Sequence, residues 1–243
     1  MIAFVGGGGK TSSMFRMARE LKELSMRVLV TTTTAIMAPP KSFCDRMFLL
    51  DTAKPDEIKD MDIDGGSITV LGDHIGPDGK MKGLDCGILS EIFLSPVFDM
   101  ILVEADGSKG RPIKAPDLHE PVIPLESSLV IGIIGFDSYG MKIDDEWVHR
   151  PHLLARICGR REGDVIDDDV ITGLVLSREG LFKGAPERAG KIFFLNKVEA
   201  GRGQSSAERI GRRIINQGEG IDTIMIGSVL SEEPILTILE AKK

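Results

Sequence analysis

Short apolar runs that end in glycine, threonine or charge alternate along the chain with stretches whose apolar residues recur three and four positions apart. Ile2 to Val5 read as a first strand, and Thr11 to Ser25 as a helix carrying Met14, Met17, Ala18, Leu21 and Leu24 on one face. Arg27 to Thr31 read as a second strand, and Pro39-Pro40 prevent its continuation. Met47 to Leu50 and Ser67 to Gly72 predict further strands, and Gly76-Pro77-Asp78-Gly79 a turn in a small hairpin beside the sheet. Leu84 to Phe93 have helical spacing, whereas Asp99 to Val103 form a fully apolar strand that stops abruptly in charge. Leu129 to Gly135, Lys191 to Leu195 and Ile221 to Ile226 complete the strands, the last leading into Gly227-Ser228. This alternation predicts an α/β fold, a mostly parallel sheet with helices on both faces.

Between residues 151 and 186 the pattern is helical and charge is clustered, which predicts a small helical insertion in a single domain spanning 1–243. At 243 residues the chain can bury a substantial core. Its net charge of −7 argues against a nucleic-acid partner. No apolar run approaches the roughly 18 residues of a membrane-spanning helix. The first strand starts almost at Met1, so no signal peptide is expected. Cys44, Cys86 and Cys158 are odd in number and widely spaced, as expected of reduced thiols in the cytoplasm.

Chemistry concentrates where the first strand meets the first helix, in Val5-Gly6-Gly7-Gly8-Gly9-Lys10-Thr11-Ser12. Glycines allow successive backbone N–H groups to converge on an anion, and a helix N-terminus adds partial positive charge. Lys10 would then reach the outer phosphates, and Thr11 would offer a hydroxyl to Mg²⁺. The full G-x-x-x-x-G-K-[ST] pattern needs a glycine where Phe4 stands, so the loop is the shorter G-x-x-G-K-T. The alternative is a glycine-rich turn with a chance lysine.

The apolar strand before Glu104-Ala105-Asp106-Gly107 would bring a carboxylate beside that loop, where Mg²⁺ is held in phosphoryl-transfer sites. Asp106 is favoured because Gly107 permits a sharp turn, with Glu104 as the alternative. Lys109, Arg111 and Lys114 follow, three cations that could contact a terminal phosphate or an anionic second substrate. Lys10, Asp106 and Lys109 are the candidate catalytic groups. Asn196-Lys197-Val198-Glu199 ends a later strand in the manner of N-K-x-[DE], whose carboxylate accepts both N–H groups of a guanine edge, and Ser228 falls in the loop expected to close over the base. The base could be that of GTP or of ATP. Thr31 to Thr34 could touch phosphate or Mg²⁺, or serve only as β-formers. His149 and His152 could bind a metal if His119 joined them, and Asp167 to Asp169 read as a solvated helix start.

The loop, the Thr31–Thr34 run, the block from Glu104 to Lys114, His119-Glu120-Pro121-Val122-Ile123-Pro124, Val148-His149-Arg150-Pro151 and Asn196-Lys197-Val198-Glu199 together resemble the YqeC family. Its members are described as accessory factors of selenium-dependent molybdenum hydroxylases or as selenium-cofactor biosynthesis proteins. The family more often has Asp where Glu199 stands. The resemblance implies a P-loop NTPase-like fold and a cofactor-maturation role, with a molybdenum hydroxylase or other maturation protein as partner. Three activities stay open: an Mg²⁺-dependent NTPase, a ligase or kinase acting on a small acidic substrate, and a nucleotide-binding module without turnover. Mur-type ligases share the short loop.

Overall fold

The computed structural model describes residues 1–51, 58, 61–201, 203–217 and 220–241. Its centre is β1 (Ile2–Gly6), whose buried Ala3, Phe4 and Val5 allow no solvated face, as expected of a parallel strand covered on both sides. The helix α1 (Lys10–Glu23) follows, then β2 (Arg27–Thr32), β3 (Ala35–Met37) and β4 (Arg46–Leu49). Next come β5 (Ser67–Gly72), β6 (Lys80–Lys82), α2 (Cys86–Phe93), β7 (Met100–Glu104) and β8 (Ile113–Lys114). The second half holds β9 (Leu129–Gly135), β10 (Val148–His149), α3 (Pro151–Cys158) and α4 (Asp168–Leu176). It ends with β11 (Gly190–Asn196), α5 (Gln204–Gln217), β12 (Thr223–Gly227) and β13 (Ile235–Glu240).

Nine strands form the main sheet in the order β13-β12-β11-β9-β1-β7-β2-β5-β4. All neighbours run parallel except β12 and β13. The α/β class and the mostly parallel sheet are as expected from the alternation. From β1 the chain moves to one side, to β2 and then to β4 at the edge, and returns through β5 to β7 beside β1; after β7 it moves to the other side through β9, β11 and β12. In such a sheet the crevice for ligands opens at the carboxyl ends of the strands where that reversal occurs, here beside β1.

Period-two alternation assigns side chains to the two faces. Phe4, Val28, Val30, Leu102, Ile131 and Ile133 pack with Met14, Phe15 and Ala18 of α1. On the other face, Leu29, Leu71, Ile101 and Val103 meet Leu89 and Ile92 of α2. Ala3, Val5, Val130, Ile134, Phe193 and Leu195 lie in the cluster that includes Leu154 of α3, Ile171 and Leu174 of α4, and Ile210 and Ile214 of α5. The helices of the 151–186 stretch therefore cover the sheet.

One expectation changes and one is extended. Ile221 to Ile226 are not the last strand: β13 returns antiparallel beside β12, Met225 opposite Ile238 and Ile226 opposite Thr237. The turn at Gly76–Gly79 forms, with the Gly79 N–H on the Gly76 carbonyl at 3.0 Å, but β6 pairs with the distant β3. Across the turn itself the Gly76 N–H donates to the Lys80 carbonyl and the Lys82 N–H to the His74 carbonyl, both at 2.8 Å, with Ile75 bridged to Met81, so the small hairpin forms and β3 extends it. Local spacing shows the turn and cannot show a partner strand brought in from elsewhere.

Candidate phosphate-binding site

The backbone of the glycine run explains its composition. Gly6, Gly8 and Gly9 have φ of 96°, 77° and 129°, where a Cβ is strained. Gly7 donates to the Ile133 carbonyl at 2.9 Å and Gly8 to the Arg111 carbonyl at 3.0 Å, which fixes the loop to β9 and to the segment after β7. No side chain caps α1, and its first turn has no acidic residue. Among the described residues, no protein acceptor takes the N–H groups of Gly9, Lys10, Thr11 or Ser12. An uncapped helix start at the carboxyl edge of a parallel sheet suits an anion.

Two buried carboxylates face this turn from the strand next to β1. Glu104 shares the parity of Leu102, so it projects on the α1 face. There the Thr11 hydroxyl donates to Glu104 Oε2 at 2.7 Å, and Lys10 Nζ lies 3.6 Å from Glu104 Oε1. Burial pushes the Glu104 carboxyl above the usual carboxylate range, while the Lys10 charge and the Thr11 hydrogen bond act in the opposite direction. Asp106 lies past the end of the strand and turns under the loop. Its two oxygens accept the Gly6 N–H at 3.1 and 3.2 Å, and it lies 3.3 Å from Lys10 Nζ. Lys10 also donates to the Gly6 carbonyl at 2.6 Å.

Behind Asp106 an ion-pair chain runs to the surface. Lys114 Nζ, fully buried, lies 3.1 Å from Asp106 Oδ2 and 2.6 Å from Glu120 Oε2. The two carboxylates hold the buried ammonium between them. Glu120 also binds Arg150 at 2.6 Å, and Arg150 reaches Asp117 at 3.3 Å. Burial opposes ionisation of Glu120, but Arg150 and Lys114 together hold its carboxyl below its ordinary value. His149 pairs with Lys114 across β10 and β8. Burial, reinforced by Arg150, Lys114 and Lys109, pushes its imidazole down to about 4.

The later motif meets the loop through Asn196. Its amide donates to the Gly8 carbonyl at 2.7 Å and accepts the Val229 N–H at 2.9 Å, all buried. A Cβ on Gly9 would strike that same amide. Val198 donates to the Gly227 carbonyl at 2.8 Å, so β11 and β12 bring Lys197, Glu199 and Ser228 to one end of the sheet. Lys197 is exposed there and pairs with Asp137 at 2.6 Å; Glu199 is exposed as well. Arg16 of α1 grips the following loop, donating to the Val229 carbonyl at 2.8 Å and to the Glu232 carbonyl at 3.0 Å.

The remaining candidates are placed as follows. Lys109 and Arg111 form no ion pair with a carboxylate among the described residues, and Arg111 lies next to Gly7 and Gly8 through its backbone. The hydroxyls of Thr31, Thr32 and Thr33 bind the carbonyls of Leu71, Glu104 and Val122. Asp167 caps α4 by accepting from Val170 N, and Asp168 and Asp169 pair with Arg209 and Arg213 of α5. Among the described residues, no three His, Cys, Asp or Glu side chains converge as a metal cluster. Sequence reasoning did not single out Glu120 and Arg150 as partners of the loop, nor Asn196 as its brace. For Glu104 a signal existed: its parity with Leu102.

Fold and site define an α/β protein with a glycine turn, a lysine and a hydroxyl opposite two buried carboxylates at the carboxyl edge of its parallel sheet. The family model for the YqeC protein matches residues 2–152. An Escherichia coli (strain K12) protein named uncharacterized protein YqeC is 34% identical over 201 residues, which cover 81% of this chain and 75% of that protein. The chain belongs to the YqeC family. No helix among the described residues is long and apolar enough to cross a membrane.

Proposed function

We propose that this protein binds a purine nucleotide with Mg²⁺ and hydrolyses it as an accessory factor in the maturation of a molybdenum hydroxylase. The observation that carries the reading is the Thr11–Glu104 contact of 2.7 Å beside Lys10, at an uncapped helix start. A hydroxyl and a carboxylate so placed are a donor set suited to Mg²⁺, a cation held by one or two protein oxygens and completed by water and phosphate. Thr11 and Glu104 would hold the ion, which neutralises phosphate charge when bound. Asp106, engaged with Gly6 and Lys114, braces the loop. Lys10 would leave the carboxylates for the outer phosphates. Lys109 and Arg111 would meet the terminal phosphate or a second anion. Asn196 would position the loop, while Lys197, Glu199 and Ser228 flank the base of GTP or ATP.

The hydroxylase partner and the selenium cofactor context come from the family resemblance. A cytoplasmic place accords with three free cysteines. Lys109 and Arg111, without an ion-pair partner among the described residues, also support a second reading, a ligase or kinase acting on a small acidic substrate. Phosphate release from ATP and GTP with Mg²⁺ separates the two, measured alone, with an apo-hydroxylase and with small carboxylic acids. Release alone or stimulated by the hydroxylase supports the NTPase; release only with an acid supports the ligase or kinase. No release under any condition overturns turnover.

A further inference from the structure

The buried site contains two carboxylates and two lysines, and they are not equivalent. Glu104 faces Thr11 and Lys10. Asp106 faces Lys10 from α1, Lys114 from β8 and the Gly6 N–H from β1. Glu120 approaches Lys114 from the segment before β9 and has its own second cation, Arg150, at 2.6 Å. Glu104, Asp106, Lys10 and Lys114 are 4%, 2%, 3% and 1% exposed, so water screens none of these charges well.

Nucleotide binding asks Lys10 to leave its present contacts. Glu104 then loses a cation, but Thr11 and an incoming Mg²⁺ stand beside it. Asp106 has no such replacement, because it lies under the loop and away from Thr11. A buried carboxylate abandoned by its only cation is strongly unfavourable. Lys114 removes that obstacle. It is fixed by strand pairing of β8 with β10, where Lys114 is in register with His149, and Glu120 holds its far side.

We infer that Lys114 is the permanent counter-ion of Asp106, and that this is what leaves Lys10 free to exchange Asp106 for phosphate. Lys114 is thus a positioning residue: it acts on the phosphate through Asp106 and Lys10 and touches no nucleotide itself. This inference rests on the nucleotide-binding reading above. Its distinguishing consequence is a charge rule. Removing Lys114 alone ties Lys10 to Asp106, whereas removing the Asp106 charge as well releases Lys10 again. Glu120 keeps Arg150 in every variant, so the effect falls on Asp106.

The test is calorimetric titration of Mg-ATP and Mg-GTP into the full chain and its variants. Lys114→Met is expected to weaken nucleotide affinity about tenfold or more. Adding Asp106→Asn should restore it to within about threefold of Asp106→Asn alone, a recovery that mere loss of packing at Lys114 would not produce. If Lys114→Met does not fold, recovery of a folded, nucleotide-binding protein on adding Asp106→Asn supports the charge rule, and a double variant that stays unfolded overturns it. Wild-type-like affinity in a folded Lys114→Met, or a double variant weaker than Asp106→Asn by tenfold, overturns the inference while leaving nucleotide binding intact. Failure of the wild type to bind either nucleotide overturns the nucleotide reading, and this inference with it.

Discussion

Asn196→Ala is the sharpest perturbation of the loop that avoids its charged groups. The side chain is 1% exposed and joins Gly8 to Val229 through bonds of 2.7 and 2.9 Å. Alanine leaves a buried carbonyl and a buried N–H without partners, each costing about 1–3 kcal/mol. Partial relaxation and an entering water reduce the sum, so a loss of about 2–4 kcal/mol is expected. For a chain of this length each kcal/mol lowers the melting temperature by about 2–4 °C, which places the shift on the order of 10 °C. Urea denaturation followed by circular dichroism measures the loss as a fall in midpoint at constant slope. Lys197→Ala and Glu199→Ala are controls, both exposed and expected within about 0.5 kcal/mol of wild type. An Asn196→Ala protein as stable as those controls would refute the brace, and with it the coupling of β11 to the loop.

The other predictions follow from particular contacts. Glu104→Gln should abolish the Mg²⁺ dependence of nucleotide binding, whereas Asp106→Asn should keep it, as read by titrations with and without Mg²⁺. Gly9→Ala, at φ 129° and against the Asn196 amide, should lower the melting temperature and weaken nucleotide affinity together. Asp99 is held at about 2 against an ordinary 3.8, chiefly by hydrogen bonds from Arg27. Its contribution to stability is complete above the ordinary value and lost as pH falls towards about 2, so the wild-type advantage over Asp99→Asn in denaturation should shrink across that window. His149, at about 4 instead of 6.5, should remain neutral by NMR through pH 5; because the unfolded chain takes up the proton first, it lowers stability as pH falls from 6.5 towards 4.

The loop and α1 are legible in the sequence because their causes are local. Four glycines fix the backbone turn, and a 3.6-residue period gives the helix its buried face. The apolar run of β7 is equally legible, since a strand covered on both sides needs no alternation. The division between its two carboxylates is not, because Gly107 drew attention to Asp106 while strand parity places Glu104 on the α1 face. Lys114 stands with Lys109 and Arg111 as a cation expected to meet phosphate or a second anion; its burial against Asp106 and Glu120 depends on pairing with β10, from a distant part of the chain. β13 escaped for a similar reason: Ile235–Glu240 is half-exposed, and only its partner β12 makes it a strand. Asn196 was visible as part of a motif, but not that its amide would hold Gly8.

The central claim is that Lys10, at the start of α1, binds nucleotide phosphate. Calorimetric titration of Mg-ATP and Mg-GTP into the wild type and Lys10→Ala measures it directly. Binding of at least one nucleotide by the wild type is predicted, with an affinity loss of about a hundredfold in Lys10→Ala, as expected for removing a charged contact worth roughly 3 kcal/mol. Equal affinities in the two proteins, or no binding by the wild type, would contradict it.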